Sequence, residues 1–122
     1  MKSILLVDDD ALVRETVRLA LRHSGFHVRV ADEPAKADEI ARQEQPDLIL
    51  LDLYMPNVDG LELARRLRSD EKTKKIPIVL FSGSTEDIDK LSAQAIGLYD
   101  YIAKPIEAPK LIAKIKDILN AG

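Results

Sequence analysis

The sequence contains no cysteine. This absence excludes disulfide bonds, thiol nucleophiles and thiolate metal ligands, and it fits a protein of a reducing compartment. Long apolar runs are also missing, because no stretch approaches the roughly 20 residues of a membrane-spanning helix. Lys2 is the one positive residue ahead of the first apolar segment, so no signal peptide is predicted. We therefore expect a cytoplasmic protein without membrane contact.

Clusters of basic residues are missing as well. The 18 Lys and Arg residues are spread along the chain, and with 21 Asp and Glu residues they leave a net charge of −3. Binding to a phosphate backbone needs clustered cations, so direct nucleic-acid binding by this chain is not expected. The 122 residues, 46% of them hydrophobic and 32% charged, instead predict one globular domain over residues 1–122.

The most informative stretch is the apolar run over residues 46–56, which contains Asp52. A short continuous apolar run bounded by turn residues is typical of a strand that is buried on both faces of a parallel sheet. In open α/β sheets, ligands bind beyond the carboxyl ends of the strands, and Asp52 stands at such an end. A solvated aspartate at a strand end is the alternative interpretation.

A second apolar strand, over residues 3–7, leads directly into Asp8, Asp9 and Asp10. If the first and third strands are neighbours, Asp8, Asp9 and Asp52 converge at one edge of the sheet. Two like charges about 5 Å apart repel by about 3 kcal/mol at an effective dielectric constant of 20, so such a cluster needs a cation. Oxygen ligands favour Mg²⁺ or Mn²⁺. Asp10 is predicted to cap the helix that follows.

The remaining pattern alternates strands with helices. The predicted strands span residues 3–7, 27–31, 48–51, 77–81 and 101–103, and the predicted helices span residues 11–23, 35–45, 61–69, 85–96 and 109–120. Five such units imply an α/β fold with a doubly wound five-stranded parallel sheet and helices on both faces. Strand orders 2-1-3-4-5 and 3-2-1-4-5 are both plausible. We favour the first, which is flavodoxin-like, because it places the three aspartates on adjacent strands.

Several finer predictions concern exposure. The strand over residues 27–31 is predicted to lie at a sheet edge, residues 70–75 to form a charged surface loop, and His23 and His27 to lie at the surface. Helical periodicity assigns these residues of the first helix to its buried stripe: Val13, Thr16, Val17, Ala20 and Leu21.

Three further groups fall at carboxyl ends of strands: Ser82, Lys104 and the backbone of Tyr54. A metal, a carboxylate, a hydroxyl group and a lysine are what the transfer of a phosphoryl group onto a carboxylate requires, since its catalysis consists of positioning and charge neutralisation. Each group alone is weakly informative, because a serine at a strand end is commonly a turn former. Their joint placement at one edge points to phosphoryl transfer.

These motifs together resemble the receiver domain of two-component response regulators, a CheY-like fold, over the full length of the chain. The resemblance rests on residues 4–10, residues 47–56 with Asp59-Gly60, the pair Phe81-Ser82, and residues 101–105. It implies that Asp52 accepts a phosphoryl group from a phosphohistidine on a sensor histidine kinase or a phosphotransfer protein. The chain would then be a signalling switch, not an enzyme, and would catalyse only its own phosphorylation and dephosphorylation.

The resemblance also implies roles for the other residues. Asp8 and Asp9 would hold Mg²⁺ together with Asp52 and the backbone carbonyl of Tyr54. Ser82 would bind the phosphoryl oxygens and Lys104 would pair with them.

An inward movement of Ser82 and Tyr101 would then reshape the face formed by the fourth helix, the fifth strand and the last helix. That face would control a downstream protein. The chain would act as a monomer or as a phosphorylation-linked dimer, either alone or as the receiver of a longer regulator.

Two other classes are disfavoured by the residues themselves. A hydrolase with an aspartyl nucleophile would need a second acid two residues after Asp52, where the chain has Tyr54. A flavodoxin-type cofactor binder would need a hydroxyl-rich and glycine-rich phosphate loop after the first strand. The three carboxylates found there would repel phosphate.

Overall fold

The computed structural model describes residues 2–52, 54–55, 58–82, 100–103 and 107–120. The strands are β1 (Ser3–Val7), β2 (His27–Ala31), β3 (Leu48–Asp52), β4 (Tyr54–Met55), β5 (Val58–Asp59), β6 (Ile78–Ser82) and β7 (Asp100–Ala103). The helices are α1 (Ala11–His23), α2 (Pro34–Glu44), α3 (Gly60–Ser69) and α4 (Ala108–Asn120). The helix predicted over residues 85–96 lies outside the described residues.

Five strands form one parallel sheet in the order β2-β1-β3-β6-β7. This is the predicted order 2-1-3-4-5 when only the strands of this sheet are counted, so the predicted fold class is confirmed. The strand over residues 27–31 is an edge strand, as predicted. A second, two-stranded sheet was not predicted: β4 and β5 pair antiparallel, with Tyr54 opposite Asp59.

Among the described residues, buried side chains form two clusters, one on each face of the sheet. Alternate residues of β1 contribute to both, since successive side chains of a strand point to opposite faces. Leu5 and Val7 pack with α2 and α3, whereas Ile4 and Leu6 pack with α1 and α4. Because both faces are covered by helices, the central strands are apolar throughout, which is the pattern that made them recognisable in the sequence.

Helix α1 is flanked by residues that favour the start and the end of a helix. Asp10 is its N-cap, and Asp10 Oδ1 accepts hydrogen bonds from the amides of Leu12 at 2.9 Å and Val13 at 3.2 Å. The helix ends before Gly25, whose φ of 94° lies in the left-handed region that glycine adopts without strain. The predicted cap and stop of this helix are therefore confirmed, and the turn that precedes the cap carries Asp8 and Asp9.

Two threonines correct the exposure predictions. Thr16, assigned to the buried stripe of α1, is exposed, because the contacts of this helix with the sheet run along Val17 and Leu21. Thr73 lies in the segment predicted as a charged surface loop but is fully buried, and its Oγ1 donates a 2.6 Å hydrogen bond to the carbonyl of Leu67. His23 and His27 are exposed, as predicted.

We expect Thr73→Val to lower the free energy of unfolding by about 1 kcal/mol, since it leaves the Leu67 carbonyl without this donor at nearly unchanged volume. Thr16→Val is the matched control on the exposed face of α1 and should change stability by less than about 0.5 kcal/mol. Urea denaturation of both variants and the parent measures the difference. Equal stability of the two variants would contradict the assigned role of the Thr73 hydroxyl.

Among the helices that the structure describes, none combines the length and apolar character needed to cross a bilayer. The cytoplasmic location stays a prediction.

Candidate functional site

The register of the sheet brings the predicted acidic residues together. Val7 of β1 lies opposite Leu51 of β3. Asp8 and Asp52, which follow them, therefore lie side by side at the carboxyl ends of these two strands. One carboxylate oxygen from each of Asp8, Asp9 and Asp52 lies within 4.8 Å of the other two. The convergence expected from the strand order is therefore present.

The three carboxylates differ in burial. Asp8 is 0% exposed and Asp52 is 5% exposed, whereas Asp9 is exposed. Burial of a carboxylate is costly unless it is hydrogen-bonded, paired with a charge or bound to a metal. Two buried carboxylates beside a third carboxylate therefore form a group that could hold a metal ion.

The backbone and side chain of Asp8 are held on three sides. Its amide donates to the carbonyl of Ala31 in β2 at 3.1 Å, and its Oδ1 accepts from the amide of Asp10 at 2.9 Å. Its carbonyl accepts a 3.0 Å hydrogen bond from Arg14 Nη1. The position of Asp8 thus depends on β2, on the turn before α1 and on α1 itself.

Arg14 is a residue that sequence reasoning missed. It lies outside the stripe of the first helix that was predicted to be buried, so no contact was expected from it. The sequence feature that could have identified this contact is the N-cap at Asp10, because it places Arg14 one turn into α1. Side chains of a helix tilt toward its N-terminus, and the N-terminus of α1 adjoins the acidic turn.

Asp32 adds another negative charge to this edge of the sheet, since it directly follows β2. The hydrogen bond from Lys36 Nζ, 3.2 Å from Asp32 Oδ1, lowers the pKa of Asp32, and the charges of Lys36 and Arg14 lower it further. Asp32 is therefore ionised at neutral pH. It is not part of the cluster formed by Asp8, Asp9 and Asp52.

The donor set fits Mg²⁺. In an octahedral site with ligands about 2.1 Å from the ion, adjacent oxygens lie about 3 Å apart and opposite oxygens about 4.2 Å apart. Carboxylate oxygens within 4.8 Å of one another are therefore close enough to share one ion, either directly or through its bound water. Mg²⁺ also retains several water molecules and is commonly bound by only one or two carboxylates directly. Within the part of the chain that the structure describes, no nitrogen or sulfur ligand that would favour zinc or copper joins the cluster.

Two other predicted site residues, Tyr54 and Ser82, lie at or just beyond the carboxyl ends of neighbouring strands, whereas Tyr101 lies within its strand. Tyr54 is in β4, two residues beyond Asp52, and Ser82 is the last residue of β6. Since Asp52 lies opposite Phe81 in the register, Ser82 is one residue further along the neighbouring strand. Tyr101 is in β7, opposite Leu80, and Lys104 lies outside the described residues.

Comparison with known proteins gives a consistent family match. The family model described as "Response regulator receiver domain" matches residues 4–116. The phosphate regulon transcriptional regulatory protein PhoB of Pseudomonas aeruginosa is 40% identical over 119 residues, which cover 98% of this chain and 52% of PhoB. The DNA-binding regulator RpaA of Synechocystis is 36% identical over 120 residues, which cover 98% of this chain and 50% of RpaA. The chain thus spans about half the length of these relatives.

Solved structures match over nearly the whole chain. Chemotaxis protein CheY4 of Vibrio cholerae has a TM-score of 0.91 at 26% identity, covering 97% of this chain and 98% of CheY4. A putative response regulator from Chloroflexus aurantiacus has a TM-score of 0.89 at 34% identity, covering 98% of both chains. The receiver domain of sensor histidine kinase PA1611 of P. aeruginosa, with a magnesium ion in its active-site cleft, has a TM-score of 0.88 at 26% identity and 98% coverage of both chains.

Proposed function

We propose that this chain, which belongs to the response regulator receiver domain family, is a signalling switch that accepts a phosphoryl group on Asp52. The observation that carries the proposal is the acidic cluster: Asp52, buried at the end of a central strand, has oxygens of Asp8 and Asp9 within 4.8 Å. A lone carboxylate at a strand end would need no such neighbours.

Asp52 is the nucleophile in this proposal. One of its carboxylate oxygens attacks the phosphorus of a phosphohistidine, the P–N bond breaks, and its electron pair returns to the imidazole nitrogen. Because the transferred group carries charge on its three equatorial oxygens, the reaction depends on positioning and neutralisation. The near-complete burial of the Asp52 carboxylate limits the access of water to the acyl phosphate that forms.

Asp8, Asp9 and Asp52, with the backbone carbonyl of Tyr54, would hold Mg²⁺, or Mn²⁺ in its place. The bound ion would neutralise the carboxylates and the incoming phosphoryl oxygens. The magnesium ion in the active-site cleft of the PA1611 receiver domain supports this proposal, as does the all-oxygen donor set of the cluster.

The strand ends beside Asp52 would supply the remaining contacts. Ser82, at the end of β6, would donate to a phosphoryl oxygen, and Lys104, which follows β7, would pair with the phosphoryl charge. Coupled movement of Ser82 and Tyr101 would carry the signal to the face formed by β7, α4 and the segment before β7.

The proposed phosphoryl donor is a sensor histidine kinase or a histidine phosphotransfer protein, and the output partner is a protein that binds the reshaped face. PhoB is named as a transcriptional regulator and RpaA as a DNA-binding one, but this chain matches about half of each. With a net charge of −3 and no basic cluster in its sequence, the chain is not proposed to bind DNA itself.

Incubation with acetyl phosphate, a small phosphoryl donor, tests the proposal. Intact mass spectrometry should detect one added phosphoryl group per chain when Mg²⁺ is present, and none when a chelator replaces the ion. An unmodified protein in the presence of Mg²⁺, or equal labelling with the chelator, would contradict the proposal.

A further inference from the structure

Arg14 connects helix α1 to the turn that carries the acidic cluster. Its amide donates to the carbonyl of Asp10 at 2.9 Å, which places it in the first turn of the helix, and its side chain is half-buried. Its Nη1 reaches back to the carbonyl of Asp8 at 3.0 Å. This carbonyl belongs to the peptide bond between Asp8 and Asp9, so the contact restrains the backbone between two residues of the cluster.

This contact lies between two other restraints on the turn. The amide of Asp8 is bound to Ala31 of β2, and Asp10 is fixed as the cap of α1. Asp9 stands between these two anchors with an exposed side chain. The Arg14 contact therefore connects the peptide between Asp8 and Asp9 directly to a side chain of the helix.

We infer that Arg14 is a positioning residue for the metal site: it holds the turn so that the carboxylates of Asp8 and Asp9 face Asp52 and bind one divalent cation together. The inference rests on the proposed function, because it concerns the same site. Partners that orient metal ligands without touching the metal contribute about 10-fold to 100-fold in metal affinity.

The direction in which the Mg²⁺ affinity changes when Arg14 is replaced distinguishes a positioning role from a purely electrostatic one. Arg14 is a cation beside a site for cations, so its charge alone opposes Mg²⁺ binding, and its removal would tighten binding if charge were its main contribution. Positioning predicts the reverse: loss of the hydrogen bond to the Asp8 carbonyl allows the turn to relax, and Mg²⁺ binds less tightly although a positive charge has been removed.

The inference is tested by isothermal titration calorimetry, with Mg²⁺ titrated into the parent and into the Arg14→Met, Arg14→Lys and Arg18→Met variants. Arg14→Met removes the donor and the charge while retaining an unbranched side chain and good helix propensity. We expect its dissociation constant for Mg²⁺ to rise about tenfold, within the range for such partners. Arg14→Lys keeps the charge and an N–H donor, so its dissociation constant should rise less than that of Arg14→Met.

Arg18→Met is the matched control. Arg18 lies one turn further along α1 and forms an ion pair with Glu15 at the surface, away from the cluster. This variant removes the same charge from the same helix and should bind Mg²⁺ like the parent. Thermal unfolding in chelator identifies any variant that fails to fold, in which case Arg14→Lys alone still tests the inference.

Two results would overturn the inference: an Arg14→Met protein that binds Mg²⁺ as tightly as the parent or more tightly, or an equal loss of affinity in Arg18→Met. Either result would leave the proposed function intact, because the parent would still bind the ion. A parent protein that binds no Mg²⁺ would instead contradict the proposed metal site and this inference together.

Discussion

Asp52→Asn should abolish the phosphorylation of this chain by acetyl phosphate in the presence of Mg²⁺. The amide that replaces the carboxylate is nearly the same size but has no anionic oxygen to attack phosphorus. Asp8 and Asp9 are not equivalent substitutes, because they follow β1 in the turn before α1, whereas Asp52 ends the central strand β3. Intact mass spectrometry should therefore detect one phosphoryl group on the parent and none on the variant.

Asp10→Asn is the matched control for this experiment. It makes the same chemical change two residues beyond Asp8, at a position that caps α1, and asparagine caps helices about as well as aspartate. The control should be phosphorylated like the parent. A phosphoryl group that persists in Asp52→Asn would place the acceptor on another residue, and loss of labelling in both variants would indicate a general disturbance of the turn.

Mg²⁺ should stabilise the folded protein substantially, because the ion relieves repulsion among Asp8, Asp9 and Asp52, which are close together only in the folded state. A ligand that binds only the folded state adds about 2.7 kcal/mol to the free energy of unfolding at 100 times its dissociation constant. For a domain of this size, the increase corresponds to a rise in Tm of roughly 10 °C. Differential scanning calorimetry with and without the ion measures it.

Two alanine variants separate the metal effect from general stability. Asp9→Ala removes an exposed carboxylate of the cluster, so we expect a smaller Mg²⁺ response and an equal or higher stability without metal, since one like charge is gone. Asp10→Ala removes the cap of α1 and should lower stability by about 1 kcal/mol while the Mg²⁺ response is retained. A full Mg²⁺ response in Asp9→Ala would remove Asp9 from the set of ligands.

The sequence alone was sufficient for the architecture because the relevant signals are local. Apolar runs mark strands that are buried on both faces, and the bounds predicted for the first helix and the first two strands are those of α1, β1 and β2. The strand order followed from one chemical argument, that Asp8, Asp9 and Asp52 should lie on neighbouring strands. That argument needs only the positions of the acids at the ends of apolar runs.

Features that depend on contacts between residues far apart in the sequence were either predicted wrongly or not predicted at all. Periodicity placed Thr16 on the buried stripe of α1, yet only the packing of that helix against the sheet decides which edge of a stripe is covered. Thr73 lies among charged residues that suggest a surface loop, but the fold turns its hydroxyl toward the carbonyl of Leu67. The pairing of β4 with β5 is also a product of the folded chain, since two-residue strands have no periodicity to recognise.

The site shows the same division. The sequence by itself determined which residues could serve in it, because carboxylates that end buried strands of a parallel sheet must gather at one edge. Only the tertiary structure decided how the burial of these carboxylates differs: Asp8 and Asp52 are buried, whereas Asp9 is exposed. It also decided that Arg14 donates a hydrogen bond to the carbonyl of the peptide between Asp8 and Asp9. The physical reason is that burial and hydrogen bonding depend on distances between β1, β2, β3 and α1, which no local pattern encodes.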